Sequence, residues 1–218
     1  DEETTHFSII DAEGNRVAGT QTVNLLYGSG LIPPGTGVLL NNEMDDFALQ
    51  PGQPNAFGVM GYEANAPEPG KRPLSSMTPT FMVSPDRVAV LGTPGGSRII
   101  TMVLLGALGF ADGLDAQQAA ALPRYHHQWW PDVVGAESGA FTPEVAAQLR
   151  AKGHTLSLQG ENVSGRASSH VWGNMQNVLW DRRGNVLGAG TDPRNPVGSG
   201  RVRAVAAECE DRAAPASP

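Results

Sequence analysis

Polar and apolar residues alternate from His6 to Asp11, a turn follows at Ala12-Glu13-Gly14-Asn15, and residues 16–24 return as a second extended run. A period of two sends alternate side chains to opposite faces, so the pattern predicts a β-hairpin with Thr4 at its open end. Thr20, Thr22 and Asn24 come back beside the start of the first strand. Further on, residues 38–40 (Val-Leu-Leu) predict a short strand, and residues 80–83 and 88–91 a second hairpin across Ser84-Pro85-Asp86. The apolar run 99–111, broken by Thr101, Gly106 and Gly109, is too short for a membrane span and reads as a buried helix. Residues 115–122 form an Ala-rich helix stopped by Pro123, and Thr142-Pro143-Glu144 starts a capped helix that runs to Lys152 and ends at Gly153. Residues 168–180 and 186–190 predict a last hairpin around 181–185. No internal repeat is visible.

Composition narrows the class. A chain of 218 residues, 40% hydrophobic and 17% charged, fits one globular domain with a substantial core. The 27 glycines and 17 prolines predict many fixed turns rather than long helices. A net charge of -7 with no basic patch argues against nucleic acid or an anionic membrane as partner. The acidic start Asp1-Glu2-Glu3 is unlike a signal peptide. Cys209 is the single cysteine and lies in the Ala-, Pro- and charge-rich stretch 203–218, which is expected to be a disordered tail.

Candidate chemistry clusters in five stretches. Thr4 is a poor nucleophile by itself, but its own α-amino group, with an ordinary pKa of about 7.7–8.0, would serve as a base if Thr4 were the first residue. Residues 1–3 lie in front of it, so that chemistry requires their removal as a precursor remnant. Glu43, Asp45 and Asp46 repel one another unless a cation is near; an ammonium suits them better than a metal, since no histidine stands at ligand spacing, and a solvated acidic turn is the alternative. Residues 51–71 form a long Pro/Gly-rich loop of the kind that serves as a lid, and it leads into Lys71-Arg72 and the serine pair Ser75-Ser76, whose donors suit a carboxylate. Gly92-Thr93-Pro94-Gly95-Gly96-Ser97-Arg98, between a strand and a helix, exposes backbone N–H groups; it lacks the endings of a P-loop or dinucleotide fingerprint, and an oxyanion hole fits better. His126 and His127, beside Trp129 and Trp130, read as packed, hydrogen-bonded core residues rather than ligands.

Together Thr4-Thr5-His6-Phe7-Ser8, Asn41-Asn42-Glu43-Met44-Asp45-Asp46-Phe47, Lys71-Arg72-Pro73-Leu74-Ser75-Ser76-Met77, Pro94-Gly95-Gly96-Ser97-Arg98 and Pro123-Arg124-Tyr125-His126-His127-Gln128-Trp129 resemble, in order, the small subunit of bacterial γ-glutamyltransferases. The resemblance implies an α+β fold, the four-layer αββα sandwich of N-terminal nucleophile hydrolases, completed by a large subunit from the same precursor. It implies self-cleavage before Thr4, a catalytic domain over residues 4–202, no cofactor or metal, and residence in the periplasm or outside the cell. It also implies roles: Thr4 as nucleophile with Thr22 bonded to it; Asn24, Glu43 and Asp46 on the amino-acid end of a γ-glutamyl group; Ser75 and Ser76 on its carboxylate; Gly95 and Gly96 as oxyanion hole. Phe57 would stand on the lid where an aromatic gate, commonly tyrosine, is found. The implied reaction is γ-glutamyl transfer from glutathione or a related compound to water, an amino acid or a dipeptide. A glutaryl or cephalosporin acylase of the same fold would have less use for Glu43 and Asp46, and a non-catalytic binding subunit would keep residues 1–3 in front of Thr4.

Overall fold

The computed structural model describes residues 3–158, 172–194 and 198–202. The first strands, β1 (Thr4–Ile10) and β2 (Arg16–Thr22), form the expected hairpin, with Thr4 opposite Thr22 and Ile10 opposite Arg16. Its turn is fastened by the Asp11 carboxylate, which accepts from the Asn15 backbone N–H and from Asn15 Nδ2, both at 2.8 Å.

The hairpin lies on a four-stranded antiparallel sheet of order β3-β4-β8-β9, made of β3 (Thr80–Val83), β4 (Arg87–Leu91), β8 (Gln176–Asp181) and β9 (Val186–Thr191). Val88 to Leu91 of β4 are all buried, which for a strand means that both faces are covered. Ala89 and Leu91 pack with Ile99, Met102, Val103 and Phe110 of helix α1 (Ile99–Ala111), and β1 and β2 pack against β4 as well. Two sheet layers with a helical layer against the larger one account for three of the four layers expected. Helix α2 (Ala116–Ala121) begins with a reciprocal cap between Asp115 and Gln118 and packs on β9. A small third sheet joins β5 (Tyr125–His126), β6 (Val134–Ala136) and β7 (Leu156–Leu158), the last two parallel across helix α3 (Pro143–Ala151), whose Thr142 cap and Pro143 start were legible in the sequence.

Buried charge ties these parts together. Arg124, 1% exposed, donates to Asp192 at 2.6 Å, and Asp192 also accepts from the Met175 N–H and from Arg194. Arg194 in turn meets both oxygens of Glu137. The two arginines also donate to the carbonyls of Ala120 and Leu122, where α2 ends and the helix dipole is negative.

Three expectations change. Residues 38–40 are not a strand: Leu40 closes the 25–41 loop on itself, donating its N–H to Leu31 O and accepting from Ser29, and Val38 and Leu40 stay exposed with no strand beside them among the described residues. The last hairpin begins at Gln176, while the predicted start at 168–171, the 203–218 stretch and Cys209 lie outside the described residues. Of the two histidines only His126 is packed, bonded to Thr101 and Gln128; His127 points outward to Asp132, and Trp129 and Trp130 are exposed.

Candidate active site

Thr4 and Thr22 face each other across the open end of the hairpin, and their hydroxyl oxygens are 2.9 Å apart. The Asn24 N–H donates to Thr22 Oγ1 at 2.8 Å, which fixes that hydroxyl in turn. Asn24 is buried in the left-handed region, φ 75°, a conformation asparagine tolerates better than most residues. Its amide donates to Asn42 O and the Asn42 side chain accepts from the Leu25 N–H, so the end of β2 is sewn to the acidic segment.

That segment is a single 3-10 turn, Glu43–Asp46. Glu43 Oε1 is buried and has no partner when both carboxylates are charged, because ionised carboxylates only accept. A proton between Glu43 and Asp46 removes the conflict. Burial, then the charge of Asp46, pushes Glu43 up to about 7, and burial also raises Asp46, so the two carboxyls exchange a proton with solvent near neutral pH.

These groups meet at one small cavity of about 30 Å³ lined by Thr4, Thr22, Asn24, Glu43, Asp46, Phe57, Ser75, Ser76 and Gly96, with Ser97 beside them. Nine of the ten site positions named from the sequence therefore share one space. Gly95 is buried directly behind Gly96 and does not line it. Gly95 and Gly96 have φ of 145° and 57°, values that side-chain-bearing residues rarely adopt, and Gly96 opens the 3-10 turn Gly96–Arg98 that leads into α1. Behind them, Thr93 is fully buried and accepts from the Asn174 N–H.

Beneath the hairpin, His6 is held by Thr20 (2.7 Å) and Ser8 (2.9 Å) and lies flat against Gly92. Burial pushes this imidazole down to about 4, so it is neutral in the working range and serves as a packed polar strut.

Four residues that the sequence did not single out organise the cavity's rim. Asn65 donates to Asp46 O (2.7 Å), and its side-chain oxygen accepts from the Leu74 N–H (3.1 Å), joining the acidic turn to the serine segment. Asn55 reaches Asp46 from the lid, Ser97 Oγ donates to Phe57 O, and Gln128 Nε2 donates to Gly58 O. Asn55 and Asn65 lie in the long loop marked as a lid, and Ser97 and Gln128 in two of the motifs quoted above, but none of the four had been given a role.

A strand-end threonine in a polar cavity, backed by stacked sheets and a Gly-Gly turn before a helix, defines the N-terminal nucleophile hydrolase class. The Gamma-glutamyltranspeptidase family model matches residues 1–201, and the chain belongs to that family. It is 43% identical over 195 residues to a glutathione hydrolase proenzyme of Escherichia coli strain K12, covering 88% of this chain and 32% of that protein. It is 45% identical over 195 residues to the glutathione hydrolase proenzyme of Pseudomonas aeruginosa, covering 88% and 35%. Among solved structures, γ-glutamyltranspeptidase from Pseudomonas nitroreducens complexed with L-DON superposes with a TM-score of 0.75 at 44% identity, covering 92% of this chain and all of that one. The chain thus spans about a third of the length of the curated relatives it matches.

Proposed function

We propose that this chain is the catalytic portion of a γ-glutamyltransferase that acts on glutathione or related γ-glutamyl compounds. The observation that carries the reading is the 2.9 Å contact of Thr4 and Thr22 on a cavity that holds two carboxylates and two serines. Cleavage of the Glu3–Thr4 bond gives Thr4 a free amine, a reading supported by the relatives' description as proenzymes. Thr4 Oγ adds to the γ-amide carbon while its proton passes to the Thr4 amine and then to the departing amine. The oxygen that becomes negative is assigned to the Gly96 N–H on the cavity and, through the family resemblance alone, to the N–H of Gly95 behind it, a type of contact worth about 2.7–4 kcal/mol each. Water, or the amine of an amino acid or dipeptide, then attacks the γ-glutamyl ester and regenerates Thr4.

Donor and acceptor chemistry assigns the two ends of the substrate. Glu43, Asp46 and the Asn24 side chain take the ammonium, and the Ser75 and Ser76 hydroxyls take the α-carboxylate. Phe57 closes over them from the lid. The acidic pair is what weighs against a glutaryl-type acylase, whose substrate offers no ammonium.

A large subunit from the same precursor is the proposed partner, in an obligate heterodimer. Support comes from apolar surface that the described residues leave open: Phe7, Ile9 and Val17 on the outer face of the hairpin, and Ile100, Leu104 and Leu108 at helical spacing along α1. Among the described residues no helix is long and apolar enough to cross a membrane. Periplasmic or extracellular residence remains part of the proposal through the family resemblance alone. Thr4→Ala in the full-length precursor is expected to abolish both chain cleavage and release of p-nitroaniline from a γ-glutamyl anilide. Full activity in that variant overturns the assignment, and intact mass of the wild type tests whether the processed chain begins at Thr4.

A further inference from the structure

The lid turn is built around one side chain. Asn55 Oδ1 accepts from the N–H groups of Phe57 (3.0 Å) and Val59 (2.9 Å), and its backbone N–H and carbonyl bond to Val59 O and the Gly58 N–H. Four hydrogen bonds within residues 55–59 thus start or end on Asn55, with Pro54 and Met60 bridged at the base, while the Ala56 N–H donates to Asp45 Oδ2 (3.3 Å) as a second tie to the acidic turn. The remaining function of the same side chain, Nδ2, is turned the other way and donates to Asp46 Oδ1 at 3.3 Å. Asn55 also lines a second cavity, of about 210 Å³, that shares Asp46, Val59 and Leu74 with the small one, so it stands in the wall between lid and acidic turn.

We propose that Asn55 is a positioning residue: it sets the height of Phe57 over the cavity and ties that height to Asp46. Its effect on γ-glutamyl substrates rests on the function proposed above; the lock itself does not. An amide suits the position because it accepts twice toward the lid and donates once toward a carboxylate, and no other side chain of that length offers both. Phenylalanine at 57 has no hydroxyl with which to latch itself, so the turn is held by what surrounds it: Asn55, with Ser97 on Phe57 O and Gln128 on Gly58 O. Asp46 lines the small cavity while its Oδ1 accepts from Asn55, so the lid and the cavity share this one carboxylate.

Two measurements on the processed two-subunit protein test this. In hydrogen exchange, Asn55→Ala is expected to speed the Phe57 and Val59 amides about tenfold or more over wild type, whereas Asn55→Asp, which keeps the acceptor, leaves them protected. In kinetics, Asn55→Ala is expected to raise KM for a γ-glutamyl anilide about tenfold with kcat within about twofold, because Phe57 is no longer held at the cavity. In a Phe57→Ala background the same substitution should change KM less than about threefold, because the group it positions is gone. Asn55→Asp places a further carboxylate against Asp46, Asp45 and Glu43, and its KM–pH profile should be displaced from wild type. Unchanged exchange in Asn55→Ala, equal KM effects in both backgrounds, or an Asn55→Asp profile that superimposes on wild type each overturns the proposal. If the wild type releases no p-nitroaniline, the γ-glutamyl reading fails, and the exchange experiment still decides the lock.

Discussion

Glu43→Gln is the most informative single change to the acidic pair. In the folded protein the Glu43 carboxyl is pushed from 4.5 to about 7 by burial and by Asp46, so at pH 6 about a tenth of it is charged and at pH 8 about nine-tenths. If the ammonium of the substrate binds the charged form, binding releases a proton, and the inhibition constant of L-glutamate should fall about tenfold from pH 6 to pH 8. Glutamine is fixed in the state that resembles protonated Glu43: neutral, able to donate to Asp46, and unable to titrate. The variant's inhibition constant should stay near the wild-type value at pH 6 and change less than about twofold over the same range. Stability runs the opposite way. A carboxyl whose folded pKa lies above its unfolded value loses stability as pH rises from about 4.5 through about 7. The rise corresponds to a ceiling of about 3 kcal/mol, and solvent screening at this half-buried position reduces it to on the order of 1–2 kcal/mol. Above pH 7.5 the variant should therefore melt higher than wild type, and at pH 5 the two should coincide. A wild-type inhibition constant that is flat with pH, or a variant equally steep, refutes the titrating pair.

Thr22→Ala removes the group 2.9 Å from Thr4 Oγ1 and is expected to lower kcat about 10- to 100-fold with KM little changed, while Thr22→Ser restores most of it; stopped initial rates on a γ-glutamyl anilide decide. Gly92→Ala would set a methyl 2.1 Å from His6 Cε1, and the ring is clamped by Thr20 and Ser8, so denaturant unfolding should show a loss of about 1–3 kcal/mol. Asp192→Ala strands buried Arg124 without its carboxylate and should cost about 3–5 kcal/mol in the same measurement, a larger effect than Asp86→Ala at the exposed Arg183 pair, which should barely move the midpoint.

What the sequence made legible divides along physical lines. Helices and hairpins carried by local rules were readable: the Thr142-Pro143 start of α3, the turn of the first hairpin and the pairing of β3 with β4 all follow from capping, turn chemistry and periodicity within a few residues. Residues 38–40 misled because three apolar residues satisfy a strand pattern whether or not a neighbouring strand exists, and none lies beside them among the described residues. Asn55 and Asn65 were invisible as organisers for a related reason. Their contacts to Asp46 and Leu74 span nine residues or more of irregular chain, so no periodicity relates them. The resemblance brought Thr4, Thr22, Glu43, Asp46, Ser75 and Ser76 into one set, but not the fastenings between them.

The hairpin makes the deeper limit plain. Alternation assigned its residues to two faces correctly, yet a period of two says nothing about which face is buried. On hydrophobicity alone Phe7, Ile9 and Val17 would point into the fold; instead they are 43–48% exposed, while Thr4, His6, Ser8 and Thr20 turn inward. Such an inversion is tolerable because the inward polar groups satisfy one another: Thr4 with Thr22, His6 with Thr20 and Ser8, Ser8 with Gln176 O. The exposed apolar face is where the large subunit proposed above would pack. The same inversion brings the Thr4 hydroxyl onto the cavity instead of the surface, so the feature that makes the isolated chain look wrongly assembled is the one that arms its candidate nucleophile.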